Sequence, residues 1–206
     1  MRVAATAVVP VDAASPETGA LARAAAILRA GGLVAFPTET FYGLGALASD
    51  PAAVRRVFHI KGRAESKPLL VLVDSVAMAE SLAAEVTPRA RELMIRHWPG
   101  ALTLVLRARA DLPRELTAGP GTIGVRLSPH PVARGLVRAL GGPITAPSAN
   151  HEGAPPPTTA ADVLRVFDGA IDLVLDGGAT AGGPASSVVD VSAAPPRVLR
   201  QGALSI

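Results

Sequence analysis

Leu69, Leu70, Val71, Leu72 and Val73 form five consecutive apolar residues, and this run constrains the fold more than any other feature of the chain. A strand with one wet face alternates polar and apolar side chains, so an uninterrupted run reads as a central strand covered on both faces. The covering layers are legible as helices. Leu21, Ala24, Ala25 and Leu28 recur at helical spacing after the start signal Ser15-Pro16-Glu17-Thr18 and before Gly31-Gly32. A second helix opens at Ser49-Asp50-Pro51, shows Val54, Val57 and Phe58 on one face, and ends at Lys61-Gly62-Arg63. Further helices are predicted over 76–84, 88–97, 131–140 and 160–167. Strands are predicted over 33–36, 101–106, 122–127, 171–175, 187–191 and 197–199, with a short extended piece at 143–146. Interleaved but not strictly alternating, these elements predict an α/β fold: one twisted mixed parallel and antiparallel sheet with flanking helices. No linker, repeat or charge run divides the chain, so one domain over residues 1–206 is expected, its motif-bearing core at about 20–203.

Composition removes several classes of chemistry. Cysteine is absent, which excludes disulfides, thiolate catalysis and cysteine-rich zinc sites. His59, His97, His130 and His151 show no ligand spacing, so no protein-held metal is expected. Near the N-terminus, Pro10, Asp12, Ser15, Pro16 and Glu17 interrupt any signal-like apolar core, and no apolar run approaches the ~20 residues of a membrane span. A cytoplasmic location is the expectation. The formal charge is only +3, which permits a nucleic-acid partner without indicating one.

The basic residues are unevenly chosen. Eighteen are arginine and two are lysine, Lys61 and Lys67, and both lysines flank Arg63. Three cations within seven residues, between a helix end and a buried strand, repel one another unless an anion joins them. A helix-end dipole accounts for one such cation more readily than for three. Gly43-Leu44-Gly45-Ala46-Leu47-Ala48 matches G-x-G-x-x-A, but the helix opens too late for a dinucleotide turn. Neither a G-x-x-x-x-G-K-[ST] loop nor a G-x-S-x-G elbow occurs. The remaining polar clusters fall at predicted strand ends, where open α/β sheets build their sites. On the strand at 122–127, Thr122, Gly124 and Arg126 share one face, and the arginine requires a carboxylate or a phosphate.

Taken in order, these clusters resemble the YrdC-like family, specifically its short threonylcarbamoyladenylate synthases. The resemblance rests on Pro37-Thr38-Glu39-Thr40-Phe41-Tyr42-Gly43-Leu44-Gly45, on Lys61-Gly62-Arg63 with Lys67-Pro68-Leu69, and on Thr122-Ile123-Gly124-Val125-Arg126. Pro147-Ser148-Ala149-Asn150, Ser186-Ser187-Val188-Val189-Asp190 and Arg200-Gln201-Gly202 complete it. It implies a YrdC-like fold around a basic concave site that joins L-threonine, bicarbonate and ATP into threonylcarbamoyl-AMP and pyrophosphate. The product would pass to a threonylcarbamoyl-transferase complex acting on tRNA, with weak tRNA binding by the chain itself as a further expectation.

By residue, the resemblance implies threonine contacts at Thr40, Arg126, Ala146 and Ser186. ATP contacts are implied at Arg63, Lys67, Thr122, Ser148, Asn150, Pro156 and Arg200. Lys61, Arg63 and Lys67 would stabilise charge during the reaction, and Mg2+ would accompany ATP. Two positions depart from the family pattern. Leu72 stands where some members carry a threonine-contacting histidine, and Glu152 replaces a serine in the Pro-rich loop. The extra C-terminal domain of longer members is not expected. The rival class is a noncatalytic, ribosome-associated RNA-binding module, which needs exposed aromatics on a long basic face. Only six aromatics occur in the chain. A role in hydrogenase maturation, as in larger relatives, would need acylphosphatase and zinc-finger-like modules, which are not expected in a cysteine-free chain of 206 residues.

Overall fold

The computed structural model describes residues 5–64, 69–117 and 121–205. Among them are ten strands and seven helices: β1 Ala7–Pro10, α1 Thr18–Arg29, β2 Val34–Pro37, β3 Tyr42–Gly45, α2 Pro51–Lys61, β4 Leu70–Leu72, α3 Val76–Leu82 and α4 Pro88–His97. Next come β5 Leu102–Arg107, α5 Arg114–Thr117, β6 Thr122–Arg126, α6 Pro131–Leu140, β7 Ile144–Thr145, α7 Ala160–Phe167, β8 Leu173–Asp176, β9 Ser187–Asp190 and β10 Arg197–Arg200. None of these helices is long and apolar enough to cross a membrane.

Parallel and antiparallel pairing are mixed as expected, but the strands divide between two hydrogen-bonded sheets. One runs β1-β8-β2-β3 and the other β10-β9-β5-β6-β4-β7. The apolar run at 69–73 supplies β4, which pairs parallel with β6 and antiparallel with β7. Between the sheets, β3 and the residues just after it meet the chain at 144–148 through isolated bridges, Gly43 with Ser148 and Leu47 with Ile144. A continuous ladder cannot form there because Pro147 has no amide to donate; its carbonyl accepts from Leu44 N instead, at 2.8 Å.

Three short elements depart from the sequence expectation: β1, β3 and the one-turn helix α5, which lies in a segment expected only to connect two strands. Residues 42–45 were expected within a loop because glycine alternates with Tyr42 and Leu44. Instead they form β3, the return strand of a hairpin with β2, and all four are buried. The glycines make room for the Phe36 ring: a Cβ at Gly45 would stand 2.9 Å from Phe36 Cε1, and one at Gly43 would stand 3.3 Å from Cζ. That close approach is why the strand carries glycine. β1 escaped notice because it is four residues long and ends in Pro10, at the sheet edge where a missing amide is tolerated.

Helices α1 and α6 pack together over the first sheet, with Leu21, Leu28, Val132 and Leu136 in one apolar cluster alongside Phe36 and Leu173. A second cluster holds Val54, Val57 and Phe58 of α2 against Leu104, Ile123 and Val125. The faces of β3, β5 and β6 not consumed by these clusters enclose the site.

Candidate active site

Each group reaches the site through local chemistry readable in the chain. Asp50 caps α2 by accepting from the amides of Ala52 and Ala53, with Pro51 in the first turn. Gly62 ends the helix at φ 60°, a left-handed conformation that favours glycine, and so turns Arg63 out of the helix line. In the hairpin turn at 38–41, Thr38 Oγ1 donates to the Phe41 carbonyl at 2.7 Å and lies 3.2 Å from Thr40 Oγ1. On β6, alternation places Gly124 and Arg126 on the same side.

These parts surround a cavity of about 460 Å³, within the range of small-molecule sites. The turn at 38–43 forms one wall, and the six-stranded sheet forms another through Thr103, Gly124, Arg126 and Arg200. Lys61, Arg63 and residues 146–156 close the third side. Four cations and no carboxylate line the cavity among the described residues. Such a field favours an anion of high charge.

The cations are held differently. Lys61 is 3% exposed, and its ammonium donates to the carbonyls of Ser148 and Asn150. Burial, reinforced by Arg63 and opposed by Glu152, lowers its pKa to about 8. In this arrangement Lys61 positions the Ser148–Asn150 segment rather than projecting freely as a phosphate ligand. Arg126 is 4% exposed and sits 3.2 Å from Glu39 Oε1, whose other oxygen accepts from Ser128 Oγ. Burial lowers the Arg126 pKa, Glu39 raises it and Arg200 lowers it again. Both readings of Arg126 thus coexist: it has a carboxylate partner and still lines the cavity. Arg200, its pKa also lowered by burial, donates through Nε and Nη2 to the Ser186 carbonyl and through Nη2 to the Ser186 hydroxyl. Asn150 donates both amide protons to its own loop, at His151 and Ala154.

Of the residues expected from the sequence, Thr40, Lys61, Arg63, Arg126, Ala146, Ser148, Asn150, Pro156, Ser186 and Arg200 come together around this cavity. Thr122 is not among the lining residues; it lies at the outer end of β6, opposite Arg107. Lys67 lies outside the described residues. Leu72 is buried in the cluster with Leu28 and Leu136, so its side chain belongs to the core rather than to the cavity lining. Glu152 reaches to 4.0 Å from Arg63, while its amide donates to the Lys61 carbonyl, so this departure adds a carboxylate beside a site cation. Among the described residues no group of three or more His, Asp or Glu side chains could hold a metal ion.

Sequence reasoning missed three contributors. Thr103 lies inside an apolar strand, where its signal was to be the one polar residue between Leu102 and Leu106. Glu39 belonged to a recognised motif but had no assigned role. Tyr42 serves the hairpin: its hydroxyl donates to the Gly178 carbonyl and accepts from Gly177 N, and burial pushes its pKa up to about 12.

Comparison with known proteins places this geometry. The family model for Sua5/YciO/YrdC proteins, described as telomere recombination, matches residues 26–202. The chain is 46% identical over 183 residues to the threonylcarbamoyl-AMP synthase of Pyrococcus abyssi, covering 89% of this chain and 54% of that protein. It is 43% identical over 195 residues to the threonylcarbamoyl-AMP synthase of Bacillus subtilis, covering 94% and 56%. The chain therefore spans just over half the length of these two relatives. The crystal structure of P. abyssi Sua5 complexed with L-threonine superposes with a TM-score of 0.93 at 44% identity, covering 97% of this chain and 58% of that one. With the match spanning the motifs from the 38–41 turn to Arg200, the chain belongs to the Sua5/YciO/YrdC family.

Proposed function

We propose that the chain forms L-threonylcarbamoyl-AMP and pyrophosphate from L-threonine, bicarbonate and ATP. The observation that carries this reading is the cavity lined, among the described residues, by four cations, no carboxylate and the hydroxyls of Thr38, Thr40, Ser148 and Ser186. A triphosphate and an amino-acid carboxylate need the cations, and a small polar side chain needs the hydroxyls. The relatives named threonylcarbamoyl-AMP synthase support the reaction, and the threonine complex of P. abyssi Sua5 supports the amino acid.

In this reading Arg126 receives the threonine carboxylate, while Thr40 and the Ser186 region receive its hydroxyl; such contacts reject analogues that lack the group. The threonine amine adds to bicarbonate-derived CO2. The carbamate oxygen then attacks the α-phosphorus of ATP, and the bond to the β-phosphate oxygen breaks to release pyrophosphate. No enzyme nucleophile is required, in keeping with a chain that has no cysteine. Arg63, Lys67 and Arg200 stabilise the charge that builds on the phosphates. Lys61 acts one step back by fixing the backbone that carries Ser148 and Asn150. Mg2+ would accompany ATP as part of that substrate and would help offset the phosphate charge; among the described residues no carboxylate lines the cavity to hold it. The product is consumed by a threonylcarbamoyl transfer to tRNA in the cytoplasm.

Pyrophosphate release measured with threonine, bicarbonate and ATP, each omitted in turn, tests the assignment. Release should require all three; release that persists without threonine overturns it.

A further inference from the structure

Thr103 occupies the middle of β5, in Leu102-Thr103-Leu104-Val105-Leu106, and is 5% exposed. Valine has the same shape, suits a buried strand better and carries no polar atom to satisfy. The hydroxyl is therefore not there for the sheet. Both branches of the side chain are committed. Oγ1 lies 2.9 Å from Ser186 Oγ, and Cγ2 faces β6, 3.5 Å from where a Cβ on Gly124 would stand. Ser186 Oγ also accepts from Arg200 Nη2 at 3.2 Å.

Counting protons around this trio leaves one over. A hydroxyl has one proton to donate and two lone pairs to accept with. If Thr103 donates to Ser186, the two acceptor positions of Ser186 are filled by Thr103 and Arg200, and the Ser186 proton has no acceptor among the described residues. If Ser186 donates to Thr103, the Thr103 proton is the one left. Either way the pair holds one O–H donor beside the cavity that also contains Arg126.

We propose that Thr103 is a positioning residue of the amino-acid subsite: it fixes the Ser186 hydroxyl against Arg200 so that the pair presents one O–H donor to the bound amino acid. This rests on the synthase reading above, and it ties the residue that meets the amino acid to the arginine assigned to the nucleotide.

The test compares Thr103→Val, Thr103→Ala and Thr103→Ser in the full chain, measuring threonine binding by calorimetry and the KM of each substrate by pyrophosphate release. Loss of one such hydrogen bond should raise the threonine Kd and KM about tenfold in the valine variant, with the KM for ATP within about twofold of wild type. Thr103→Ala, which adds no methyl group toward Ser186, should show the same threonine loss, and Thr103→Ser should stay within about twofold of wild type because it keeps the hydroxyl. An unchanged threonine Kd in the valine and alanine variants, equal losses for both substrates, or a serine variant as impaired as valine overturns the proposal. If wild type binds threonine but releases no pyrophosphate, the synthase reading fails, and the threonine Kd series still decides the role of Thr103. Wild type that binds no threonine overturns both.

Discussion

Replacing Glu39 with glutamine isolates the charge balance around Arg126. The Arg126 side chain is 4% exposed and that of Glu39 17%, with Nη1 3.2 Å from Oε1. Their contact is an ion pair rather than a directed hydrogen bond, since neither Glu39 Oε1 nor Arg126 Nε has a hydrogen-bond partner among the described residues. The second carboxylate oxygen accepts from Ser128 Oγ, which itself accepts from His130 N. Glutamine keeps the shape and can still bond Ser128, so Glu39→Gln removes mainly the charge. At an effective dielectric near 20, unit charges about 4 Å apart attract by about 4 kcal/mol. Removing one partner of a fully buried pair costs about 3–5 kcal/mol. Partial exposure of Glu39 lets solvent screen the pair, so a loss of about 2–3 kcal/mol is expected. At roughly 2–4 °C per kcal/mol for a chain of this size, calorimetry should show Tm falling by roughly 4–12 °C. A second readout addresses function. If Arg126 receives the substrate carboxylate, threonine restores the missing negative charge, and saturating threonine should raise the Tm of the variant more than that of wild type. A fall below about 2 °C, or a threonine-induced shift no larger than in wild type, refutes the arrangement.

Two further predictions concern buried titratable groups. Tyr42 is the only tyrosine, and burial pushes its pKa up to about 12, so ultraviolet titration of the folded protein should show ionisation near pH 12. Its raised pKa contributes stability that is complete below about pH 10 and lost as pH rises through about 12; an inflection near pH 10 in the folded state contradicts this. Lys61, lowered to about 8, binds fewer protons folded than unfolded between about pH 8 and 10.5, so this group makes stability rise with pH across that window. If ATP binds as proposed, the nearby triphosphate charge should raise this pKa, so ATP binding near pH 8 should be accompanied by proton uptake. Calorimetry in two buffers of different ionisation enthalpy measures that uptake, and a buffer-independent enthalpy rules it out.

Much of the fold was legible because its signals are local. The five apolar residues at 69–73 announced a covered strand, Asp50-Pro51 and Gly62 bracketed α2, and the run at 131–140 had helical periodicity ending in Gly141. β3 was not legible, because glycines chosen to seat the Phe36 ring look in sequence like a turn. Nor was the division into two sheets, because residues 43–47 meet the chain about 100 positions away only through isolated bridges and not through a continuous ladder.

For the site, the motifs and their order determined the chemistry: an unusual pair of lysines around Arg63, threonines in a hairpin turn and an arginine on a strand. Ten of the expected residues converge on one cavity. What each does there was decided by tertiary contacts. Lys61 is committed to two backbone carbonyls, Arg126 shares its charge with Glu39, and Ser186 is held between Thr103 and Arg200. The physical reason is that residue type sets which charges and protons are available, and type is written in the chain. How many remain for a ligand depends on which partners have already taken them, and those partners lie on strands brought together only when the sheets form.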